Sequence, residues 1–150
     1  MRPPSDQTPA ATSDAASAGV AITAPAEPDE VARIRRAVGT LGRRTGLSEQ
    51  RVAEMALAVS EACANVVLHA YIGRRIGALR VTADAVPVGV QVIVADDGRG
   101  MTPRSDSPGL GLRLPLISSL TDALEVRAAP EGGTELWMTF ASTRPKEPTA

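Results

Sequence analysis

The order in which helical and strand patterns follow one another limits what this chain can fold into more than any other feature of its sequence. The spacing of apolar residues predicts the order β-α-α-β-β-α-β-β. The predicted elements cover, in chain order, about residues 20–23, 29–41, 49–71, 79–85, 90–95, 112–123, 124–128 and 134–140. Because two helices precede most of the strands, the order excludes a doubly wound βαβ fold. We expect an α/β (α+β) two-layer sandwich, in which helices cover one face of a mixed β-sheet.

Local signals predict how the helices begin. Asp29 and Ser48 are expected to cap the first two helices, since their side chains can accept a hydrogen bond from a free backbone N–H. Pro115 is expected in the first turn of the third helix, where proline is tolerated, so this helix would begin near Gly111 or Leu112. The same pattern places three side chains on the inward face of that helix: Leu116, Ile117 and Leu120.

The length of 150 residues suits one domain, for which roughly 100–200 residues are typical. Residues 1–19 contain no Val, Ile, Leu or aromatic side chain, so they cannot offset the entropy cost of ordering and are predicted to be disordered. Residues 142–150, with two prolines, are predicted to form a flexible tail in the same way. The predicted folded domain therefore spans residues 20–141.

Charge and residue usage exclude several classes of protein. With 16 basic and 17 acidic residues, the net charge of −1 argues against direct binding to nucleic acid. No apolar run approaches the roughly 18 residues of a membrane span, and the first residues lack the apolar block of a secretory signal, so we expect a cytoplasmic protein. The lone cysteine, Cys63, excludes an intramolecular disulfide, and the lack of any lysine before Lys146 excludes a P-loop.

Glu61 and Asn65 are the first pair of residues that could carry chemistry. They are four residues apart on the second predicted helix, so they project from nearly the same face. A carboxylate and an amide held together could orient a hydroxyl and hold a cation. Taken alone, however, the pair is better explained as a solvated Glu and Asn on an exposed helix flank.

Three glycine-containing segments follow in the chain. Asp96 and Asp97 follow the most apolar strand and precede Gly98 and Gly100, where a ligand could approach the backbone, although an Asp-Gly turn gives the same pattern. The run Gly109-Leu110-Gly111-Leu112 opens a helix, whose free N–H groups favour anions, or else acts as a hinge. The run Gly132-Gly133-Thr134 precedes the last strand and alone indicates a hairpin turn.

Together and in this order, these elements resemble the Bergerat-type ATPase superfamily, which contains gyrase B and the catalytic domains of histidine kinases. Within it, the sequence is most similar to the anti-sigma-factor serine/threonine kinases. The string AVSEACANVVLHAY (58–71) resembles the asparagine box of that family. The string VIVADDGRGM (92–101) resembles the first glycine box, and residues 109–140 resemble the second glycine box and the final strands. The resemblance implies the Bergerat ATP-binding fold over roughly residues 20–141.

The resemblance also implies roles at the phosphate end of a bound ATP. Asn65 would coordinate a Mg²⁺ ion that bridges the phosphates, and Glu61 would be the general base that takes the proton from the attacking hydroxyl. The run Gly109-Leu110-Gly111-Leu112 would present N–H groups to the phosphates. Arg104, in the short segment that would form the ATP lid, is either a further phosphate contact or a solvated loop charge.

At the adenine end, the resemblance implies that Asp96 accepts a hydrogen bond from the adenine amino group. Gly98 and Gly100 would let the backbone come close to the nucleotide. Thr134 would lie near adenine and contact it through water.

The function implied is that of an ATP-dependent serine/threonine protein kinase that is also an anti-sigma factor. Its partners would be a sigma factor and an anti-anti-sigma (STAS-type) protein that it phosphorylates on Ser or Thr, and the family commonly works as a homodimer. Two alternatives stay open: a nucleotide-gated switch without kinase activity, and the catalytic subunit of a split histidine kinase. The first helix carries an Arg-rich face, with Arg51 just beyond it, and this cluster either meets an acidic partner or is simply solvated: Arg33, Arg35, Arg36, Arg43 and Arg44.

Overall fold

The computed structural model describes residues 19–70, 77–98, 108–130 and 132–143, without the side chains of residue 69 and residues 108–113. Its elements follow the predicted order. They are β1 (Val20–Pro25), α1 (Pro28–Arg44), α2 (Glu49–Asn65), a π-helix (Val66–Ala70), β2 (Ala78–Val86), β3 (Gly89–Asp96), α3 (Pro108–Leu120), β4 (Ala123–Ala128) and β5 (Thr134–Ala141). Apart from Gly19, Ser142 and Thr143, the two predicted tails lie outside the described residues.

The five strands form one sheet in the order β1-β2-β3-β5-β4. Every neighbouring pair among them is antiparallel, so the expectation of a mixed sheet is wrong. The reason lies in β5. Helix α3 connects β3 to β4, which run in the same direction, but β5 turns back from β4 and inserts between them. The predicted α/β two-layer fold is otherwise confirmed.

The core lies between the helices and one face of the sheet. It is built from aliphatic side chains, with Phe140 as its only aromatic member among the described residues. Alternate residues of the strands point into it, as the period of two predicts, and β3 is central and buried along nearly its whole length. The opposite face carries no helix in the described ranges, which an antiparallel sheet tolerates because one of its faces can be solvated. There, the guanidinium of Arg127 stacks 3.8 Å from the ring centroid of Trp137.

The first two helices begin and end differently from each other. Ser48 caps α2 as predicted, since its hydroxyl accepts a hydrogen bond from the backbone N–H of Arg51 at 3.1 Å. Asp29 does not cap α1, because this helix already begins at Pro28 and Asp29 lies in its first turn. Past Asn65, α2 widens into the π-helix instead of continuing as an α-helix to residue 71.

Helix α3 departs most from the sequence prediction. It begins at Pro108, so Pro115 lies inside the helix and not in its first turn. The prediction failed because Pro108 itself occupies the favourable starting position. Ile117 is fully buried as predicted, but Leu116 is 39% exposed and not inward. No helix in the described part of the chain is long and apolar enough to cross a membrane.

A buried ion cluster closes the end of the sandwich where α2 starts. Arg51 is only 5% exposed. Its Nη1 donates to Glu54 Oε1 at 2.6 Å and to the Leu120 carbonyl at 3.4 Å, and its Nε donates to the Ala141 carbonyl at 3.3 Å. Its Nη2 is paired with the carboxylate of Asp122. One guanidinium thus joins the start of α2 to the ends of α3 and β5.

Candidate functional site

The two polar residues at the end of α2 lie in different environments. Asn65 is fully buried, and neither its Oδ1 nor its Nδ2 has a hydrogen-bond partner among the residues that the structure describes. Glu61, one helical turn earlier, is half-buried. The alternative of a solvated helix flank is therefore wrong for Asn65. A buried amide without a protein partner is costly, which makes it a candidate ligand contact.

Asp96 is the last residue of β3 and is also fully buried. Its Oδ1 accepts a hydrogen bond from the backbone N–H of Gly98 at 2.8 Å, so the carboxylate holds the turn that follows the strand. In the sheet register, Asp96 stands opposite Thr134, the first residue of β5, which is 2% exposed. The structure therefore brings together these two residues, which are far apart in the sequence.

Two glycines allow other backbone segments to approach Asp96 closely. A Cβ on Gly98 would lie 2.0 Å from the Ala70 carbonyl oxygen, at the end of the π-helix. A Cβ on Gly133 would lie 1.9 Å from the Asp96 carbonyl oxygen, and Gly133 has a φ of +91°, which disfavours any other residue. The end of β3, the end of the π-helix and the start of β5 therefore meet at one point.

The start of α3 belongs to the same end of the molecule. Helices α2 and α3 pack against each other, and the Arg51–Leu120 contact places the start of α2 beside the end of α3. They therefore run antiparallel. Since each residue advances a helix by about 1.5 Å, the first turns of α3, with Gly109-Leu110-Gly111-Leu112, come to about the level of Glu61, one helical turn before Asn65. Gly100 and Arg104 lie outside the described residues.

Two parts of this arrangement were not predicted from the sequence. Gly133 was assigned only to a hairpin turn, although this glycine packs on the backbone of Asp96. No role was predicted for Arg80, whose Nη1 lies 2.8 Å from both carboxylate oxygens of Asp97. The pair Gly132-Gly133 could have indicated the close approach to Asp96. The contact between Arg80 and Asp97 depends on the register between β2 and β3, which the sequence does not show.

The chemistry of the assembled residues suits a nucleotide. The side-chain oxygen of Asn65 is the hard type of ligand that Mg²⁺ takes together with phosphate oxygens and water. The carboxylate of Asp96 can accept from an exocyclic amine, and the N-terminal N–H groups of α3 favour anions. Among the described residues, no group of three or more His, Cys, Asp or Glu could hold a metal ion by itself. A Mg²⁺ ion at this site would therefore also need phosphate oxygens or water as ligands.

Comparison with known proteins defines the class to which this fold and site belong. Residues 24–140 match the family described as the histidine kinase-like ATPase domain, and the chain belongs to that family. The resemblance of the sequence to the anti-sigma-factor serine kinases within it is confirmed by relatives of known name. The chain is 30% identical over 135 residues to the serine-protein kinase RsbW of Bacillus licheniformis, covering 80% of this chain and 83% of the relative. It is equally similar to RsbW of Bacillus subtilis (strain 168), with the same identity and coverage.

Solved structures agree with the fold. The histidine kinase domain of the blue-light activated histidine kinase from Erythrobacter litoralis EL346 superimposes with a TM-score of 0.50 at 22% identity. The match covers 77% of this chain and 61% of that domain. At this identity, the likeness bears on the fold alone, and it confirms the predicted histidine-kinase-like architecture.

Proposed function

We propose that this protein is a Mg²⁺-dependent, ATP-using serine/threonine protein kinase that also acts as an anti-sigma factor. The observation that carries the ATP site is the amide of Asn65, which is fully buried and has no hydrogen-bond partner among the described residues. Such an amide is costly unless a ligand completes its bonding. The kinase assignment is supported by the named serine-protein kinase relatives.

In this proposal, the phosphates lie between the end of α2 and the start of α3. The Asn65 side-chain oxygen would hold Mg²⁺, which when bound neutralises phosphate charge. The N–H groups of the run Gly109-Leu110-Gly111-Leu112, together with Gly100 and Arg104, would contact the nucleotide. Adenine would lie against Asp96, Gly98 and Thr134, with the Asp96 carboxylate accepting from its amino group.

Glu61 would act on the acceptor and not on ATP. It stands one turn before Asn65 and is half-buried, so it is placed to meet a hydroxyl brought in by another protein. Its carboxylate takes the proton of that hydroxyl as the oxygen bonds to the γ-phosphorus, and the bond from that phosphorus to the bridging oxygen of ADP breaks. The products are ADP and a phosphorylated Ser or Thr.

The partners proposed are a sigma factor and a STAS-type anti-anti-sigma protein, with a homodimer and a cytoplasmic location. The Arg-rich face of α1 supports an acidic partner. A groove of about 460 Å³ between α1 and α2 is lined in part by Arg35, Arg36 and Arg43. Two of the arginines on α1 are already paired in the chain, Arg33 with Glu30 and Arg43 with Glu49, so a partner would compete with these exposed ion pairs.

Phosphotransfer in a native cell lysate tests this proposal against its alternatives. The purified protein is incubated with lysate and ATP labelled at the γ-phosphate, and labelled proteins are identified by phosphosite mapping. We expect one small protein labelled on Ser or Thr. Label on a histidine of a partner would instead identify a split histidine kinase. Nucleotide binding with no labelled protein would identify a nucleotide-gated switch.

A further inference from the structure

We propose that Arg51 is a positioning residue for ATP: by fixing the far end of α3, it sets where the first turn of this helix meets the phosphates. The inference rests on the proposed function, since it needs the ATP site at the start of α3. Arg51 lies at the other end of the sandwich and touches no proposed ligand contact.

The first reason is that the described side chains of α3 make few buried apolar contacts. Over residues 114–120, where its side chains are described, only Ile117 is fully buried. Leu114 and Leu120 are half-buried against the core, while Pro115 and Leu116 are exposed. Pro115 also lacks the N–H that would continue the helical hydrogen bonds. Polar contacts are therefore the main candidates for fixing this described part of α3.

The second reason is that polar contacts at the end of this helix converge on Arg51. Its guanidinium binds the carbonyl of Leu120, the last residue of α3, and the carboxylate of Asp122 two residues later. Asp122 is itself fixed to β5, since its N–H donates to Thr139 O at 2.9 Å and its Oδ2 accepts from the Ala141 N–H at 2.8 Å. The end of α3 is thus fixed to both α2 and the sheet.

The third reason is leverage. Helix α3 has 13 residues, so its ends are about 20 Å apart. A tilt of about 5° at the anchored end would move the first turn by between about 1.5 and 2 Å. Hydrogen bonds from N–H groups to oxygen hold only over distances of about 2.7–3.2 Å, so such a shift would break contacts to phosphates. The adenine contacts would stay in place, because they lie on β3 and β5.

The test is to compare Arg51→Lys with the wild type for binding of adenosine, ADP and ATP with Mg²⁺. Lysine keeps the charge but lacks the planar fork that reaches several acceptors at once. We expect ATP affinity to fall by about tenfold, ADP affinity by less, and adenosine affinity to stay within about twofold, because the lost hydrogen bonds are to phosphates, which adenosine lacks. Asp122→Asn is the second variant, in case Arg51→Lys folds poorly, and it should shift the same ratio.

Arg127→Met is the matched control. This arginine is also paired, with Glu125 at 2.9 Å, but it lies on the solvated face of the sheet, so all three affinities should match the wild type. An Arg51→Lys protein that is less stable yet keeps the wild-type ratio of ATP to adenosine affinity would overturn the inference and leave the proposed function intact. A wild-type protein that binds no ATP would overturn both.

Discussion

Two buried polar clusters lie at opposite ends of α2, and they differ in how the protein completes their hydrogen bonding. At the start of the helix, Arg51 meets two carboxylates and two carbonyls and is 5% exposed. At the end of the helix, the amide of Asn65 is fully buried and lacks any hydrogen-bond partner among the described residues. Burial alone therefore does not distinguish a structural polar residue from a ligand-binding one.

This difference in hydrogen bonding indicates where the free energy of ligand binding can come from. A cluster whose groups are satisfied by the chain has nothing left to offer a ligand, so it stabilises the fold. A buried group without a partner has already lost its bonds to water when the protein folds. A ligand that bonds to this group therefore gains a hydrogen bond without desolvating the group again. Substitution at the start of α2 should therefore mainly lower stability, whereas substitution of Asn65 at its end should mainly weaken ATP binding.

The largest effect is expected at Glu61. Replacing it with Ala should lower the rate of phosphotransfer by a factor of about 10²–10⁴, which is the usual contribution of a general base, while ATP affinity stays near the wild-type value. Transfer is measured with γ-labelled ATP and the acceptor protein, and ATP affinity by calorimetry. Glu61→Gln, which keeps the shape without the basic group, should behave the same way. Undiminished transfer by either variant would remove Glu61 as the base.

At the start of α2, we expect a large effect on stability in addition to the weaker ATP binding inferred for Arg51. Arg51→Met leaves two partly buried carboxylates, whose side chains are 18% and 19% exposed, without their cation, so the free energy of unfolding should fall by up to about 3 kcal/mol, the lower end of the range for a fully buried pair. Urea denaturation followed by circular dichroism measures this change. Arg127→Met removes an exposed pair and should change stability by less than about 1 kcal/mol. Equal losses in the two variants would contradict the view of Arg51 as a buried anchor.

At Asn65, we expect weaker ATP binding without a loss of stability. Asn65→Ala removes a buried amide that lacks a protein partner, so the free energy of unfolding should stay constant or rise by up to about 1–2 kcal/mol. ATP affinity in Mg²⁺ should fall by about 10–100-fold, since a contact to a charged group is lost. Ser60→Ala, on the same helix, is the control for ATP binding. A destabilised Asn65→Ala protein would show that this amide serves the fold.

The smallest effect concerns Cys63, which lies two residues before Asn65. Burial raises the pKa of its thiol from 9.0 to about 12. Native protein should therefore resist a thiol reagent at pH 8 and react only after urea is added. Above pH 9, the unfolded thiol ionises while the native one keeps its proton, so stability should decline with rising pH. Rapid labelling without urea would show that this end of α2 is loosely packed, which would contradict the burial of Asn65.

Much of this arrangement was predictable because it depends on periodicity. The alternation of Leu136, Met138 and Phe140 identified the buried face of β5, and the apolar run at 90–95 identified the central strand. Ser48 was recognised as a cap from its position alone. These features follow from local geometry, which a sequence expresses directly.

The features that escaped prediction depend on contacts between distant segments. The antiparallel sheet results from the insertion of β5 between β3 and β4, and no local pattern encodes that choice. Arg51 and Asp122 are 71 residues apart, and each alone has the sequence context of an ordinary surface charge. The same holds within the site, where the roles of Asn65, Asp96 and Thr134 came from the family resemblance and stay predictions, while only the structure shows that all three are buried.

The insertion of β5 also has a consequence for how the protein is made. Asp96 emerges from the ribosome well before Thr134, the residue that stands opposite it in the sheet. Until β5 has been synthesised, β3 and β4 each expose an unpaired edge, and such edges promote association with other chains. Nascent chains in which β5 has not yet been synthesised should therefore depend on chaperones and bind no nucleotide. Synthesis of the last strand is thus required before the new protein can function.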